Sequence, residues 1–377
     1  MKAIVLSGGG AKGSYELGVW KALRRLRIKY DIVTGTSIGA LNGLLMAQKQ
    51  YYRCFTLWNN IDFNQIYDDF DATNMYKSYM NKLVKGGIDT NKIATLIDNF
   101  YNPNKLYNSK IKFGVVSVNL TDGKVKYSTT ENTKPEKLSK YILASATCFP
   151  FFKPLEIDNK MYVDGGYYDN LPINLAIDLG ATEIIAVDLR AIGLRKKAKD
   201  KNIKITYISP NGKLDSFLNF EKNATKKMFK LGYNDAMKVF DKLEGNVYTF
   251  KKNTLHLNYF KYKENFSILT KKNLNEIITE KDFNKVIEDA LGQFEIDVTK
   301  IYKKNEFNLS LLERLKKYKS IEIDEINAQK IKKLFDRKTI IKNIYERLLD
   351  NKDCTIFKIL KKDYLIALYL IVIGGIK

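Results

Sequence analysis

Gly35-Thr36-Ser37-Ile38-Gly39 decides how this chain is read. A serine with a glycine two residues to either side stands between a short apolar strand, Tyr30 to Val33, and the small, apolar run Ile38 to Ala47, which suits a helix packed on a sheet. The backbone must turn within a few residues there, which leaves no room for a side chain at Gly35 or Gly39. Such a nucleophile elbow lifts the Ser37 hydroxyl out at the end of a sheet. It also aims the first N–H groups of the following helix at whatever Ser37 attacks. A glycine-rich strand-to-helix turn capped by a serine has the same letters, so the motif alone leaves both readings standing.

A second glycine cluster begins the chain. Ala3 to Leu6 reads as a strand that runs into Ser7-Gly8-Gly9-Gly10-Ala11-Lys12-Gly13 and then a helix from about Ser14 to Leu26, with Leu17, Val19, Trp20, Leu23 and Leu26 on its apolar stripe. Bare N–H groups at a helix start bind anions, either a phosphate or the oxyanion of an acyl-transfer intermediate. Gly8, Gly10 and Gly13 also satisfy the dinucleotide fingerprint G-x-G-x-x-G. That reading needs an acidic residue at the end of the second strand. Asp31 precedes the core of that strand, and its end is Gly35-Thr36-Ser37. A Walker A loop fails because Gly13, not Ser or Thr, follows Lys12.

The third motif is Met161-Tyr162-Val163-Asp164-Gly165-Gly166, a strand ending in an Asp and two glycines, followed by Asn170-Leu171-Pro172 and a helix from Ile173 to Leu179. Alone, an Asp before Gly-Gly is an ordinary turn. The histidine count changes its weight, because the only histidine, His256, lies in a polar stretch rich in lysine and asparagine. A Ser-His-Asp triad would have to use it. A carboxylate is the better candidate for the base of Ser37, and Asp164 at a strand end is the best placed.

In this order the three motifs resemble those of the patatin-like phospholipases: Gly-Gly-Gly-x-Lys-Gly at Gly8 to Gly13, Gly-x-Ser-x-Gly at Gly35 to Gly39, and Asp-Gly-Gly at Asp164 to Gly166. Ala144 to Pro154 is similar to the family's small-residue helix end and proline turn, and Lys12 stands where the family usually has arginine. The resemblance covers roughly residues 1 to 190. It implies an α/β three-layer fold with a central, mostly parallel sheet, and a lipid acyl hydrolase that needs no metal and no cofactor. It further implies Ser37 as nucleophile, Asp164 as its only side-chain partner, an oxyanion hole around Gly8, Gly9, Gly10, Lys12 and Gly13, and lipid as substrate. Two other classes stay open: a dinucleotide-binding oxidoreductase, and a basic membrane-binding protein without turnover.

The 377 residues, 45% hydrophobic, are ample for a globular core and exclude a disordered chain. Three widely spaced cysteines, Cys54, Cys148 and Cys354, speak against a disulfide framework and for a reducing compartment. Met1-Lys2 leads directly into the first strand, so no cleaved leader and a cytoplasmic location are expected. The formal net charge is +22. Its densest run, Arg195 to Lys201, has no nucleic-acid motif beside it, so nucleic acid is not an expected partner. Peripheral contact with an anionic membrane and drift in composition both remain.

A patatin-like domain is expected over 1–250 and a lysine-rich helical extension over 251–377. Aromatics crowd the segment Tyr51 to Pro103 (Tyr51, Tyr52, Phe55, Trp58, Phe63, Tyr67, Phe70, Tyr76 and Tyr79), as a helical cap or an acyl-chain wall. Ile111 to Leu120 and Lys124 to Thr129 form a predicted hairpin around Thr121-Asp122-Gly123. Glu183 to Leu189 and Ile203 to Ile208 extend the sheet, and Lys222 to Leu243 is helical. In the extension, Ile287 to Phe294, Leu309 to Tyr318 and Ile331 to Leu349 are expected helices. The uncharged run Tyr364 to Ile376 is shorter than the roughly 20 residues a spanning helix needs. It either packs into the extension or inserts at a membrane surface with Lys358, Lys361 and Lys362.

Overall fold

The computed structural model describes residues 1–61, 66, 87–270, 279–303, 306–319, 336–350, 352 and 360–374. Phe63, Tyr67, Phe70, Tyr76, Tyr79, Ile331, Cys354, Lys358 and Ile376 lie outside the described residues. The chain divides into two compact units, Met1–Val239 and Phe240–Lys377.

The first unit is built on an eight-stranded mixed sheet. Its centre is β1 (Lys2–Leu6), paired in parallel with β2 (Ile32–Thr36) on one edge and β7 (Glu183–Val187) on the other. Next to β2 and also parallel lies β3 (Lys112–Asn119), and β8 (Lys204–Ile208) continues beyond β7. Three antiparallel strands complete it: β4 (Lys124–Thr129), β5 (Leu155–Ile157) and β6 (Lys160–Asp164). Strands β1 and β2 are almost wholly buried, which is why they read as continuous apolar runs instead of alternating ones.

Helices cover both faces. On one, Ala3, Val5, Ile32, Val116 and Ile184 cluster with Ile173, Leu175 and Ala176 of the helix Ile173–Asp178. On the other, Gly43 of the helix Ile38–Ala47 lets Val33 and Phe113 approach so closely that an added Cβ would lie 3.1 and 3.2 Å from them. The helices Gly13–Arg25 and Lys222–Val239 cross at two glycines. A Cβ on Gly18 would sit 2.0 Å from the Phe229 carbonyl oxygen, and one on Gly232 2.0 Å from that of Tyr15.

The second unit has the helices Thr254–Thr270, Glu280–Gln293, Glu306–Leu315, Arg337–Leu349 and Lys361–Gly374, with a small three-stranded sheet. The uncharged C-terminal run supplies its core: Leu365 to Leu370 and Val372 are buried among Tyr262, Phe283, Leu311 and Ile344. The surface-insertion alternative for that run is therefore replaced by packing. Among the described residues no helix is long and apolar enough to cross a membrane.

Candidate active site

The parallel strands carry two turns to the same end of the sheet. Leu6 stands opposite Gly35 in the β1–β2 ladder, so the glycine loop after β1 and the elbow after β2 emerge side by side. Their packing accounts for the glycines. A Cβ on Gly35 would lie 2.2 Å from the Gly39 carbonyl oxygen, and one on Gly39 would lie 2.6 Å from that of Leu6. Ser37 itself has φ 56° and ψ −126°, a strained backbone for a residue with a side chain. Three contacts hold it there. The Ser37 N–H donates to Ser145 Oγ at 2.8 Å, the Thr36 hydroxyl donates to the Asp169 carbonyl at 2.8 Å, and Ser37 begins the helix Ile38–Ala47.

Asp164 ends β6 and is 5% exposed. Its Oδ1 accepts the Gly166 N–H at 2.7 Å, and its own N–H donates to the Thr147 carbonyl at 3.0 Å. Burial pushes its carboxyl up to about 6, against the opposing pull of hydrogen bonds from the Ser37 hydroxyl and the Gly166 N–H. The nearby Asp169 is also raised to about 6 by burial. Gly165 packs so tightly on β3 that a Cβ would lie 2.4 Å from the Val116 carbonyl oxygen.

The glycine loop sorts its N–H groups. The Gly8 N–H donates to the Asn170 carbonyl at 3.1 Å, while the Asn170 amide donates back to the Gly8 carbonyl at 3.3 Å. The N–H of Gly13 turns back to the carbonyls of Gly10 and Ala11. Of the residues expected around an oxyanion hole, Gly8 and Gly13 thus have their donors engaged. Gly9 and Gly10 have no acceptor for theirs among the described residues. Gly10 has φ +56° and would press a Cβ to 2.3 Å from the Phe217 carbonyl oxygen, so the loop requires glycine there. Lys12 faces the same cavity, with its ammonium pKa lowered by partial burial.

Ser37, Asp164, Gly8, Gly9, Gly10, Lys12 and Gly166 line one cavity of about 760 Å³. Leu41, Leu57, Trp58, Ile93, Phe152 and Phe220 make most of its described wall apolar. Trp58 belongs to the helix Tyr51–Asn60, so part of the aromatic segment lines the cavity. Cys148 lies there too, its thiol pushed up to about 11 by burial and by the nearby Asp164. Gly35, Gly39, Gly13 and Gly165 shape the turns from behind. His256 belongs to the second unit, half exposed, with Nδ1 3.0 Å from Glu280 Oε1. Asp31 accepts the Lys2 N–H at 2.9 Å, at the opposite ends of β1 and β2 from the glycine loop, where it cannot hold a ribose beside that loop.

Ser145, Thr147 and Asn170 position the two motifs without a signal of their own in the sequence. Asn42 is a further unforeseen hub. Its Nδ2 donates to the Gly13 carbonyl and to Glu16 Oε2, at 2.9 and 2.8 Å, and its Oδ1 accepts the Trp58 indole N–H at 2.9 Å.

A family model described as patatin-like phospholipase matches residues 4–177. The chain is 28% identical over 195 residues to patatin-like phospholipase domain-containing protein 7 of Rattus norvegicus, covering 50% of this chain and 13% of that protein. With lysophospholipase NTE1 of Candida albicans the identity is 30% over 201 residues, again 50% of this chain and 13% of the other. The chain therefore spans only a small part of the length of these relatives. Among solved structures, VipD from Legionella pneumophila aligns with 99% of this chain and 92% of its own, at 16% identity and a TM-score of 0.45. Residues 4–177 of this chain form a patatin-like phospholipase domain.

Proposed function

We propose that the chain is a lipid acyl hydrolase in which Ser37 attacks the ester carbonyl, Asp164 is the general base, and an acyl-enzyme on Ser37 is then hydrolysed. The observation that carries this reading is the sheet register that ends β2 and β6 against one edge of β3 and brings Ser37 into one cavity with the buried Asp164, whose carboxyl burial raises to about 6. A carboxylate with an ordinary pKa near 4 is a weak base for a serine hydroxyl. One near 6 is still ionised at neutral pH and holds a proton more strongly.

Asp164 takes the Ser37 proton as the C–O bond forms. The N–H groups of Gly9 and Gly10 receive the developing oxyanion, each worth roughly 2.7–4 kcal/mol in the transition state. The protonated Asp164 then gives its proton to the leaving alcohol, and in the second half it activates the water that releases the acid. Leu41, Leu57, Trp58, Ile93 and Phe152 offer an acyl chain an apolar wall. The test is turnover of p-nitrophenyl esters of short and long acyl chains and of a fluorescent phospholipid, with a fluorophosphonate probe to trap the nucleophile. Labelling at Ser37 together with turnover is expected. A chain that labels elsewhere, or binds NAD tightly without cleaving esters, would overturn the reading.

A further inference from the structure

A hydrolase of this kind must reach esters packed in a bilayer, and the segment from Asp188 to Lys201 is built for that. Its backbone is pinned against the Asp-Gly-Gly turn: the Leu194 N–H donates to the Gly166 carbonyl at 2.9 Å, and the Leu194 carbonyl accepts the Asn170 N–H at 2.6 Å. Its first part is closed by Arg195, which forks onto Asp188 at 2.7 and 3.1 Å, while Asp188 Oδ1 also takes the Arg190 N–H at 2.8 Å. Held in this way, the segment presents its apolar side chains outward. Ile192 is 97% exposed and Leu194 58%.

Single exposed apolar residues are ordinary. Here Phe149 and Tyr167, 44% and 45% exposed, stand with Ile192 and Leu194 around the mouth of the Ser37 cavity. The same segment is basic, with six Lys and Arg between residues 190 and 201 against one acid, Asp200. Arg195 is taken up by Asp188 and Lys199 by Asp178, while Lys197 and Lys196, whose ammonium lies 4.0 Å from the centre of the Tyr168 ring, are exposed. An apolar tip with exposed cations beside it is complementary to an anionic lipid surface, which offers phosphates above an acyl-chain layer.

We propose that this rim docks on an anionic bilayer, with Ile192 and Leu194 seated at the acyl-chain boundary and Arg190, Lys196 and Lys197 against the headgroups. The cavity mouth is thereby placed on the lipid surface. The inference rests on the hydrolase reading above, and it relocates membrane contact from the C-terminal run, which is buried.

The experiment measures partition of the full chain, carrying Ser37→Ala so that vesicles stay intact. One vesicle type is phosphatidylcholine alone, and the other is phosphatidylcholine with phosphatidylserine at about three to one. Tighter binding to the anionic vesicles is expected. Ile192→Asp with Leu194→Asp should lower it at least about tenfold at every salt concentration. Lys196→Glu with Lys197→Glu should lower it about tenfold at low salt and little at high salt, with turnover of a soluble short-chain ester unchanged in the Ser37 background. Both double variants are surface changes, and circular dichroism checks their folding. Folded variants that bind as tightly as the parent overturn the inference. Rim-dependent binding by a chain that cleaves no ester overturns the hydrolase reading instead and leaves the docking surface in place.

Discussion

Thr36 and Asp164 end two different strands that share one edge of β3. Thr36 stands opposite Val116 in the parallel ladder and Asp164 opposite Ser117 in the antiparallel one. Because β4 occupies the other edge of β3 from Gly114 to Asn119, β2 and β6 must meet end to end with their C-termini converging. The residue after Thr36 is Ser37, so sheet register brings the serine to the carboxylate across 126 residues of intervening sequence. The placement of Ser37 beside Asp164 is therefore set by backbone hydrogen bonding and not by a flexible loop.

From that geometry, Ser37→Ala and Asp164→Asn should each lower ester turnover by about a thousandfold or more while the chain stays folded. His256→Ala should retain nearly the full rate, since the proposed two-residue mechanism gives the imidazole no task. The measurement is kcat/KM on a soluble ester alongside circular dichroism. A several-hundredfold loss in folded His256→Ala would reveal a triad.

The raised Asp164 carboxyl has a stability consequence with a definite sign. Between its ordinary value of 3.8 and about 6, the folded chain holds the proton more tightly than the unfolded one. Stability contributed by this group is thus full below pH 3.8 and is lost as pH rises through 6, up to about 3 kcal/mol. Asp164→Asn preserves the Oδ1 that accepts the Gly166 N–H but never has to bury a charge. Its melting temperature should exceed that of the unmodified chain at pH 7.5, and the difference should close toward pH 4. In the unmodified chain turnover should rise with pH through about 6 as the base ionises. A variant that is less stable at pH 7.5 would show that burial does not dominate at this carboxylate.

The glycine loop should separate binding from catalysis. Gly10→Ala places a side chain at φ +56° and against the Phe217 carbonyl, which costs about 1–2 kcal/mol for the left-handed backbone alone. The loop must shift, and with it the free N–H groups. Since an oxyanion forms only in the transition state, kcat should fall by about a hundredfold or more with KM little changed. A change confined to KM would remove Gly10 from the proposed oxyanion hole.

Asn42 is expected to matter for stability and for the cavity wall together. Asn42→Leu would leave the buried Glu16 carboxyl and the Trp58 indole N–H without their partner, at a cost of about 3 kcal/mol or more. Thermal melting reads the loss, and a raised KM for long-chain esters would accompany it because Trp58 lines the cavity. An unchanged melting temperature would show that Glu16 and Trp58 find other partners.

Much of this site was legible in the sequence because its demands are local. A turn that tolerates no Cβ at Gly35, Gly39 or Gly10 must be written with glycine, and a buried parallel strand such as Ala3 to Leu6 must be apolar throughout. The elbow strand runs past its apolar run: Thr34, Gly35 and Thr36 belong to β2 by their ladder partners, although none is apolar enough to extend the expected Tyr30 to Val33 by hydrophobicity. The residues that could not be read are those whose role depends on distant partners. Ser145 Oγ meets the Ser37 N–H across 108 residues, and the two hydrogen bonds between Gly8 and Asn170 cross 162. A serine near a helix end or an asparagine before Leu-Pro has many uses, and only the fold selects one.

The C-terminal run supplies the last prediction, where two readings of one stretch diverge in outcome. An uncharged helix is equally suited to a lipid surface and to a protein core, because both are apolar. What separates them is whether one face or all faces are covered. In the helix Lys361–Gly374 every residue from Leu365 to Val372 is buried, so no stripe is left to insert. Asp363 at its start is also buried and paired with Arg337 at 2.6 Å, which anchors it to the helix Arg337–Leu349. Leu370→Ala should therefore cost about 2–5 kcal/mol in the second unit. Truncation before Tyr364 should expose residues 240–363 to limited proteolysis. A truncated chain whose second unit resists protease and melts as before would show that the helix is dispensable to that core, and would return the run to the membrane surface.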